Sequence, residues 1–199
     1  MYLLAINGSP LKKGNTAWLL ERVLEAAERE GVPTRLLHVM DALKGQRWPY
    51  CTACSSPCKE VCHQESAPLR EAVDLLEGCA GLLLGSPVYF GTVSGQLKSF
   101  WDKTRAARGR RSLVGKPGAA VSVGAARFGG QETTLRALHD MMIIHGMYIV
   151  GDGTAEEDAG HHGVCAQRPA EEDAFALQRA AILGKRLALE IKGGKAERA

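Results

Sequence analysis

The chain opens on LLAINGSPLKKGNT (residues 3–16), an apolar run that leads into a polar loop. The continuous apolar residues at 3–6 are typical of a strand buried on both faces of a parallel sheet. Apolar residues at three- and four-residue spacing over 19–27 predict a helix, which Gly31 ends. The segment 34–39 predicts a second strand. The chain therefore begins strand, loop, helix, strand, which is the repeating unit of parallel sheets.

The loop between the first strand and its helix has the composition of an anion site. A helix start offers free backbone N–H groups and the positive end of the helix dipole, and Asn15 is the predicted N-cap. The residues that can add hydrogen bonds, charge or close approach are Ser9, Lys12, Lys13, Gly14, Asn15 and Thr16. A phosphate group fits such a loop, although the spacing matches neither the P-loop nor the dinucleotide fingerprint. A merely polar loop before a capped helix is the alternative.

Two more units of the same kind follow along the chain. A strand at 80–84 ends in the loop 85–94, and a strand at 117–123 ends in a Gly-rich loop before a helix that runs to about His145. With a last strand at 147–150, strands and helices alternate five times. This alternation predicts a three-layer α/β fold in which helices cover both faces of a five-stranded parallel sheet. In the flavodoxin-like order 2-1-3-4-5, the loops after strands 1, 3 and 4 converge where FMN binds.

Capping residues mark the starts of the middle helices. Ser66, followed by Pro68, is the predicted start of one helix, and Ser94 is the predicted N-cap of the next. A last helix is predicted from about Pro169 to Ile191. We therefore expect a single domain over 1–192, into which a Cys-rich loop is inserted at 41–66. A polar tail is expected at 193–199.

Composition restricts the class of protein. The 199 residues are 45% apolar and 24% charged, which is typical of one soluble globular domain. The net charge of +3 is too small to indicate nucleic acid as the main partner. No apolar run approaches the roughly 20 residues that span a membrane, and the N-terminus does not resemble a signal peptide. We expect a cytoplasmic protein, whose thiols stay reduced.

Four of the six cysteines lie within the twelve residues 51–62. Core packing does not require such crowding, whereas four converging thiolates can hold a metal ion or an iron–sulfur cluster. A four-thiolate zinc site usually joins two separated Cys-x-x-Cys pairs, and this chain has one tight run, which favours a [4Fe–4S] cluster over zinc. A site that is empty or oxidised to disulfides remains an alternative. The four predicted ligands are Cys51, Cys54, Cys58 and Cys62.

Several other polar residues have no decided role in the sequence. Cys79 is expected to be a buried core thiol. Cys165 belongs to a His-rich irregular stretch with His161 and His162, which either bind a metal ion, transfer protons or lie in solvent. A basic run between the third helix and the fourth strand is expected to be a solvated surface, with docking of an acidic electron-transfer partner as the sharper alternative. This run contains Lys103, Arg105, Arg108, Arg110 and Arg111.

Nearly the whole chain resembles the NADPH-dependent FMN reductase-like branch of the flavodoxin-like fold, and more narrowly the iron–sulfur flavoproteins. The resemblance rests on NGSP (7–10) with GNT (14–16), on GSPVYFG (85–91) and on GGQETT (129–134). HGM (145–147) and VGDG (150–153) add to it. No single piece is specific, but the combination is.

The resemblance implies a cofactor and a ligand set. Ser9, Asn15 and Thr16 match the FMN phosphate loop, with Lys12 or Lys13 as a further contact. The loop along the isoalloxazine and ribityl chain matches Pro87, Val88, Tyr89, Phe90 and Gly91. The third loop around the ring matches Gly124, Ala125, Arg127, Gly129 and Gly130. The four cysteines match the motif that holds a [4Fe–4S] cluster.

The cysteine spacing departs from the pattern of that family. The usual motif is Cys-x2-Cys-x2-Cys followed by a longer gap, whereas the gaps here are two, three and three residues. Pro57 lies in the widened gap, where it is expected to form a turn. The difference concerns the geometry of the cluster and leaves the number of ligands at four.

The resemblance implies an FMN-dependent oxidoreductase that relays electrons between a [4Fe–4S] cluster and FMN. The donor would be ferredoxin or NAD(P)H, and the acceptor a small molecule such as oxygen, peroxide or a quinone. No side chain need act as an acid or base, because the flavin carries the chemistry. The family is typically a homodimer or homotetramer in which the cluster loop of one subunit approaches flavin at a subunit boundary. The alternatives are a cluster-free NAD(P)H-dependent FMN or quinone reductase, whose Cys loop is structural or binds zinc, a simple electron carrier, and a redox-sensing interaction protein.

Overall fold

A computed structural model describes the fold of residues 1–196, with side chains described through 193. The strands are β1 (Leu3–Asn7), β2 (Thr34–His38), β3 (Gly81–Pro87), β4 (Pro117–Gly124), β5 (Tyr148–Ile149) and β6 (Val164–Gln167). The helices are α1 (Asn15–Arg29), α2 (Val39–Ala42), α3 (Val61–Gln64), α4 (Ala67–Gly78), α5 (Gly95–Asp102), α6 (Arg105–Gly109), α7 (Gln131–Ile143) and α8 (Ala174–Ala196). A 3-10 turn lies at Ala170–Glu172.

The sheet is parallel and has the predicted order, β2-β1-β3-β4-β5. One row of paired residues crosses it near its carboxyl edge and consists of His38, Asn7, Gly85, Val121 and Val164. Because these strands run in the same direction from that row, the segments that follow β1, β3 and β4 emerge side by side. The predicted convergence of the three Gly-rich loops is therefore present.

The fifth position in the sheet is occupied by two separate strands. β5 pairs with Pro117 and Gly118 at the amino end of β4, whereas β6 pairs with Val121–Gly124 at its carboxyl end. The chain thus leaves the sheet after Ile149 and returns at Val164. The prediction that the whole stretch through Cys165 is irregular was wrong, because Cys165 lies in β6. A strand of four residues is hard to recognise from its own sequence, since its formation depends on pairing with the neighbouring strand.

Two apolar layers hold the helices against the sheet. On one face α1 and α8 pack together over β1, β3 and β4, and on the other α4, α5 and α7 cover the same strands. A Cβ atom at Gly184 of α8 would lie 2.3 Å from the carbonyl oxygen of Val23 in α1. This glycine therefore permits the close contact of the two helices. Cys79 is 2% exposed, which confirms the prediction of a core thiol.

The helix starts were predicted correctly where a serine supplies the cap. The Ser66 and Ser94 hydroxyl oxygens accept hydrogen bonds from the backbone N–H groups of Leu69 and Leu97. Asn15 is not the N-cap that its residue type suggested: Gly14 has that position. The Asn15 side-chain oxygen instead accepts a hydrogen bond from the backbone N–H of Ala170, 2.7 Å away, which fastens α1 to the segment before α8.

The last helix begins later and runs further than predicted. Pro169 precedes the 3-10 turn rather than α8, which starts at Ala174 and continues to Ala196, past the predicted boundary at Ile191. Part of the predicted tail is thus helical, and residues 197–199 lie outside the described residues. No helix in the described part of the chain has the length and apolar character needed to cross a membrane.

His145, just after α7, predicts a pH dependence of stability. It is 5% exposed, its Nε2 lies 3.2 Å from the Thr104 hydroxyl oxygen, and burial lowers its pKa to about 4. Below the ordinary pKa near 6.5 the unfolded chain binds a proton that the folded protein does not. The free energy of unfolding should therefore decrease by about 3 kcal/mol as the pH falls from about 6.5 to about 4.

Urea unfolding at pH 7 and pH 4.5 would measure this effect. We expect the His145→Gln variant to lose less stability between the two pH values than the wild type, by about 2–3 kcal/mol. His162→Gln, which removes an exposed histidine, is measured beside it for comparison. Equal pH dependence in the wild type and His145→Gln would contradict the assignment.

Candidate functional site

The first loop at the carboxyl edge is shaped by the buried side chain of Asn7. Its Oδ1 accepts a hydrogen bond from the backbone N–H of Ser9 at 3.0 Å, and its Nδ2 donates to the carbonyl of Leu11 at 3.2 Å. The Ser9 hydroxyl oxygen in turn accepts from the Leu11 N–H at 3.1 Å. The amide of Asn7 therefore folds the loop back in front of α1. Sequence reasoning used Asn7 only as part of a motif and missed this role.

The start of α1 has the features of an anion site. Among the described residues no side chain caps this 15-residue helix, and Gly14 precedes it in an extended conformation. Its first N–H groups therefore face the loop, beside the buried Ser9 and Thr16. Lys12 forms an ion pair with Asp41. Its contact with a phosphate remains a prediction, as does that of the exposed Lys13.

The second loop displays an aromatic ring at its tip. Tyr89 and Thr92 exchange two backbone hydrogen bonds, of 3.0 and 3.1 Å, around the two-residue turn Phe90-Gly91. Both turn residues have positive φ, 50° and 78°, as a type I′ turn requires. A phenylalanine is disfavoured in that conformation, yet its side chain is fully exposed. This combination of strain and exposure indicates a contact surface rather than a core role.

The third loop is held by the side chain of Gln131, the first residue of α7. Its Nε2 donates to the carbonyl of Ala126 at 2.6 Å, and its Oε1 accepts from the N–H of Gly129 at 2.8 Å. A Cβ atom at Gly124 would lie 2.5 Å from Gln131 Nε2, so only glycine leaves room for this side chain. Gln131 is 5% exposed and was missed as a site residue, although it belongs to the GGQETT motif.

Hydrogen bonds join the three loops to one another. The Ser94 hydroxyl donates to the carbonyl of Gly8, which links the second unit to the first loop. The Thr133 hydroxyl donates to the carbonyl of Gly91 at 2.7 Å, which links the third unit to the second loop. Gly130 has the left-handed conformation and lets the second and third loops approach each other, because a Cβ atom at this position would lie 3.1 Å from Gly91 Cα. The predicted loops therefore form one continuous structure at the carboxyl edge.

A cavity of about 970 Å³ lies beside the third loop. It extends from the start of α7 to the segment between β6 and α8, and its lining includes Arg127, Phe128, Arg168, Phe175 and Cys165. Burial raises the pKa of the Cys165 thiol to about 11, so this thiol is protonated at neutral pH and is a poor nucleophile. The two arginines and two aromatic rings suit a flat, anionic small molecule.

The His-rich stretch is held by a buried ion pair, whose carboxylate, that of Asp152, also accepts a hydrogen bond from the backbone N–H of His161. Arg179 of α8 is 3% exposed and donates from Nε to an oxygen of the fully buried Asp152 at 2.6 Å. Its terminal nitrogens bind Asp158 at 2.8 and 2.9 Å. His161 and His162 lie on the exposed side of this loop. The ion pair therefore fixes the segment that interrupts the fifth strand.

The Cys-rich loop surrounds a second cavity, of about 210 Å³. All four predicted ligands line it, Cys51, Cys54, Cys58 and Cys62, whereas Cys79 and Cys165 lie elsewhere. Burial raises the pKa of the Cys62 thiol, the nearby Lys103 lowers it, and the other three cysteines raise it further. The four thiols are thus close enough to interact electrostatically. The widened gap before Cys58 forms a bend over residues 55–57, where a turn at Pro57 was predicted.

The spacing of these thiols differs from that of a single-ion site. In the described part of the chain, no three His, Cys, Asp or Glu side chains are arranged to hold one metal ion. In a [4Fe–4S] cluster each thiolate binds a different iron, so the four sulfurs need only surround a common volume. All four thiols line one cavity, which is compatible with that requirement. Four thiols around one cavity are a donor set that fits such a cluster.

The charges around the cavity favour an anion. Its lining includes the cations of Arg47, Lys103 and Arg105 and the carboxylates of Glu65 and Asp102. Asp102 is paired with a lysine on its own helix, 2.7 Å away. The other charged side chains that line the cavity carry a net positive charge. Since four thiolates and their cluster carry a net negative charge, the electrostatic surroundings match the donor set.

The end of the Cys-rich loop is anchored to α6 and α4. Arg110 donates two hydrogen bonds to Glu60, of 2.8 and 2.9 Å, and a third to Glu77 at 2.8 Å. The hydrogen bonds from Arg110 are the main reason that the pKa of Glu60 is lowered. Lys103 is 3% exposed. The prediction that the basic run is a solvated surface was therefore wrong for Lys103, whereas Arg110 is exposed even though it pairs with Glu60 and Glu77.

Comparison with known proteins agrees with this geometry. The model of the family described as NADPH-dependent FMN reductase matches residues 1–162. An iron–sulfur flavoprotein of Methanocaldococcus jannaschii is 38% identical over 197 residues, which are 96% of this chain and 98% of that protein. One from Methanosarcina thermophila is 33% identical over 190 residues, or 94% and 93% of the two chains. The chain belongs to the iron–sulfur flavoproteins of the FMN reductase family.

Solved structures confirm the fold of this iron–sulfur flavoprotein. A WrbA-like flavodoxin from Agrobacterium tumefaciens superposes with a TM-score of 0.70 and 18% identity, over 96% of this chain and 98% of that one. The predicted family and flavodoxin-like fold are confirmed. As a family member, the protein is an FMN-dependent oxidoreductase. The uncapped start of α1 suits the FMN phosphate, and the joined loops suit its ring system.

The Gln131→Leu variant tests the third loop as part of the FMN site. The substitution removes the side-chain hydrogen bonds that hold Ala126 and Gly129, so the loop should lose its ordered conformation. We expect FMN to bind about tenfold more weakly, which corresponds to about 1.4 kcal/mol. Quenching of FMN fluorescence by apoprotein measures the affinity. Gln178→Leu, the same change at an exposed site in α8, should bind like the wild type. Equal affinities in all three proteins would exclude this loop from the site.

Proposed function

We propose that this flavoprotein relays electrons between a [4Fe–4S] cluster in the Cys-rich loop and FMN at the carboxyl edge of the sheet. The donor in this proposal is ferredoxin or NAD(P)H, and the acceptor is a small molecule such as oxygen, peroxide or a quinone. The observation that carries the proposal is the cavity of about 210 Å³ that all four cysteines of residues 51–62 line. The names of the relatives from the two methanogens support it as well.

The chain supplies both sites with side chains and backbone, not with acid–base groups. Ser9, Thr16 and the first N–H groups of α1 would hold the FMN phosphate. The turn at Phe90-Gly91 and the loop fixed by Gln131 would position the ring. FMN, when bound, accepts electrons singly or in pairs, whereas a cluster accepts one at a time. The combination therefore suits exchange between one- and two-electron carriers.

The cluster ligands in this proposal are Cys51, Cys54, Cys58 and Cys62. Thiolates hold such clusters, and the reduced thiols of a cytoplasmic protein would be available to them. The positive lining of the cavity supports an anionic occupant over a set of neutral thiols. A zinc ion is the alternative occupant. It would require the four sulfurs to move to the distances of a single tetrahedral site, about 2.3 Å from one ion.

The cavity of about 970 Å³ next to the FMN loops supports a small-molecule partner. Arg127 and Arg168 would bind negative groups such as phosphate, and Phe128 and Phe175 would contact an aromatic ring. Both NAD(P)H and a quinone present a flat ring. This cavity supports NAD(P)H more directly than it supports ferredoxin, a protein that would need a docking surface.

A homodimer or homotetramer is part of the proposal. Phe90 is fully exposed, Phe128 is 94% exposed, and Trp48 and Tyr50 of the Cys-rich loop are about half exposed. Exposed aromatic residues at loop tips are typical of interfaces between protein subunits. Contact between these loops of two copies would bring a cluster close to flavin at the subunit boundary. Light scattering of the holoprotein, which gives the mass relative to the 21.4 kDa chain, measures the number of subunits.

Anaerobic reduction tests the relay. The holoprotein is mixed with NADH, with NADPH or with reduced ferredoxin, while flavin absorbance and the cluster signal are followed together. We expect one donor to reduce both centres in linked phases. A variant without the cluster should then lose reduction of the flavin by ferredoxin but keep direct reduction by NAD(P)H. Flavin that reduced ferredoxin does not reduce even when the cluster is present, together with rapid NAD(P)H turnover, would instead support a cluster-independent flavin or quinone reductase.

A further inference from the structure

Lys103 is a buried cation without a carboxylate partner. It follows the last residue of α5 and is only 3% exposed. Its Nζ donates to the side-chain oxygen of Gln46 at 3.0 Å. Within residues 1–193, it forms no ion pair. Removing an ammonium group from water is costly unless a negative charge compensates it.

The position of Lys103 indicates where that negative charge belongs. The residue lines the cavity that the four cysteines surround. Arg47 and Arg105 line the same cavity but are exposed, so water and salt screen their charges. Lys103 is therefore the cation whose field acts most strongly on whatever the cysteines hold.

Two hydrogen bonds fix Lys103 relative to the ligand loop. Gln46 accepts from Lys103 Nζ through its Oε1 and donates through its Nε2 to the carbonyl of Cys62, 3.4 Å away. On the other side, the ring Nε2 of the buried His63 lies 2.8 Å from the Lys103 carbonyl oxygen. His63, which directly follows Cys62, thus contacts the backbone of Lys103. The lysine is built into the ligand loop rather than placed near it by chance.

We propose that Lys103 is the buried counter-charge of the four-thiolate cluster and raises its reduction potential. The inference rests on the proposed function, because it requires the cluster. A cluster held there would gain one electron from the donor on reduction and would become more negative. A fixed positive charge at this site stabilises the reduced form more than the oxidised form. Net charge around a cluster is one of the factors that set its potential. Lys103 is in this sense a positioning and tuning residue, since it does not bind iron.

The test compares cluster potentials in variants with the complete, anaerobically prepared protein. Lys103→Met removes the charge and keeps most of the side-chain length, and Lys103→Arg keeps the charge. Lys59→Met is the matched control, because Lys59 lies between Cys58 and Cys62 in the sequence but is exposed. The readouts are iron per chain and the midpoint potential of the cluster from a redox titration followed by electron paramagnetic resonance.

We expect Lys103→Met to lower the equilibrium constant for reduction of the cluster by about tenfold, a shift of about 59 mV to more negative potential for one electron. Lys59→Met and Lys103→Arg should shift it by much less. If Lys103→Met folds but loses its iron while Lys103→Arg retains it, the requirement for positive charge is supported in a second way. Equal potentials in wild type and Lys103→Met would overturn the inference, as would loss of iron from Lys103→Arg too. Wild-type protein without iron would instead overturn the proposed cluster itself.

Discussion

The Cys54→Ser variant is expected to lose most of its iron while it keeps FMN. Cys54 is exposed and lines the cavity of the Cys-rich loop, so a serine there should not disturb the fold. Three remaining thiolates bind a [4Fe–4S] cluster less tightly, because one iron loses its protein ligand. We expect iron to fall from about four per chain to less than one after desalting. Iron assay and visible absorbance measure the change.

The control for Cys54→Ser is the same substitution at a cysteine outside the loop. Cys165 lies in β6 beside Ser122 and lines the larger cavity. Cys165→Ser should therefore keep wild-type iron. The ratio of FMN to protein should stay the same in both variants, because the FMN loops do not contain either cysteine. Loss of iron from both variants, or from neither, would contradict the assignment of the four ligands.

The Arg179→Met variant is expected to lose about 3–5 kcal/mol of stability. The substitution leaves the fully buried carboxylate of Asp152 without its guanidinium partner. It also releases Asp158, so the segment that interrupts the fifth strand loses its attachment to α8. Urea unfolding measures the free energy. The cost is larger than that of removing a surface ion pair, since an unpaired charge is left in the interior.

Removal of both charges separates this effect from simple loss of packing. The double variant Arg179→Met with Asp152→Asn no longer buries an ionised carboxylate, so it should recover part of the stability lost by the single variant. Arg186→Met, which removes a partly exposed partner of Glu190 on the same helix, is the matched control and should cost less than about 1 kcal/mol. A single variant as stable as this control would refute the structural role of the ion pair.

The order of the sheet follows from patterns that are local in the sequence. Buried parallel strands are continuous apolar runs, and helices show a three- to four-residue period, so five alternating units were recognisable. The caps at Ser66 and Ser94 were predicted for the same reason, because a cap acts within its own turn. Convergence of the three loops then followed from the order of the strands.

The differences arise where distant segments decide the outcome. β6 has only four residues, and its pairing with β4 depends on a strand about forty residues earlier. Asn15 was expected to cap α1, but its side-chain oxygen instead accepts a hydrogen bond from the backbone N–H of Ala170, which is distant in the sequence. Lys103 belongs to a basic run and was expected in solvent, and only the folded Cys-rich loop buries it. None of these contacts leaves a periodic signal in the sequence.

The roles of individual residues in the site were predicted unevenly. Sequence reasoning placed the glycines and serines of the three loops at one edge, where the structure has them. It did not identify Asn7 and Gln131, which shape two of those loops through hydrogen bonds. Both residues lie inside the quoted motifs, so an amide side chain next to glycine was the available signal. Whether each predicted residue touches FMN remains a prediction.

The central claim is that one chain binds both FMN and a four-iron cluster held by the cysteines of residues 51–62. Its most direct test is the iron, zinc and FMN content of wild-type protein purified without oxygen. We predict brown protein with about four irons and one FMN per chain and with no stoichiometric zinc. Yellow protein that contains FMN but one zinc in place of iron would contradict the claim.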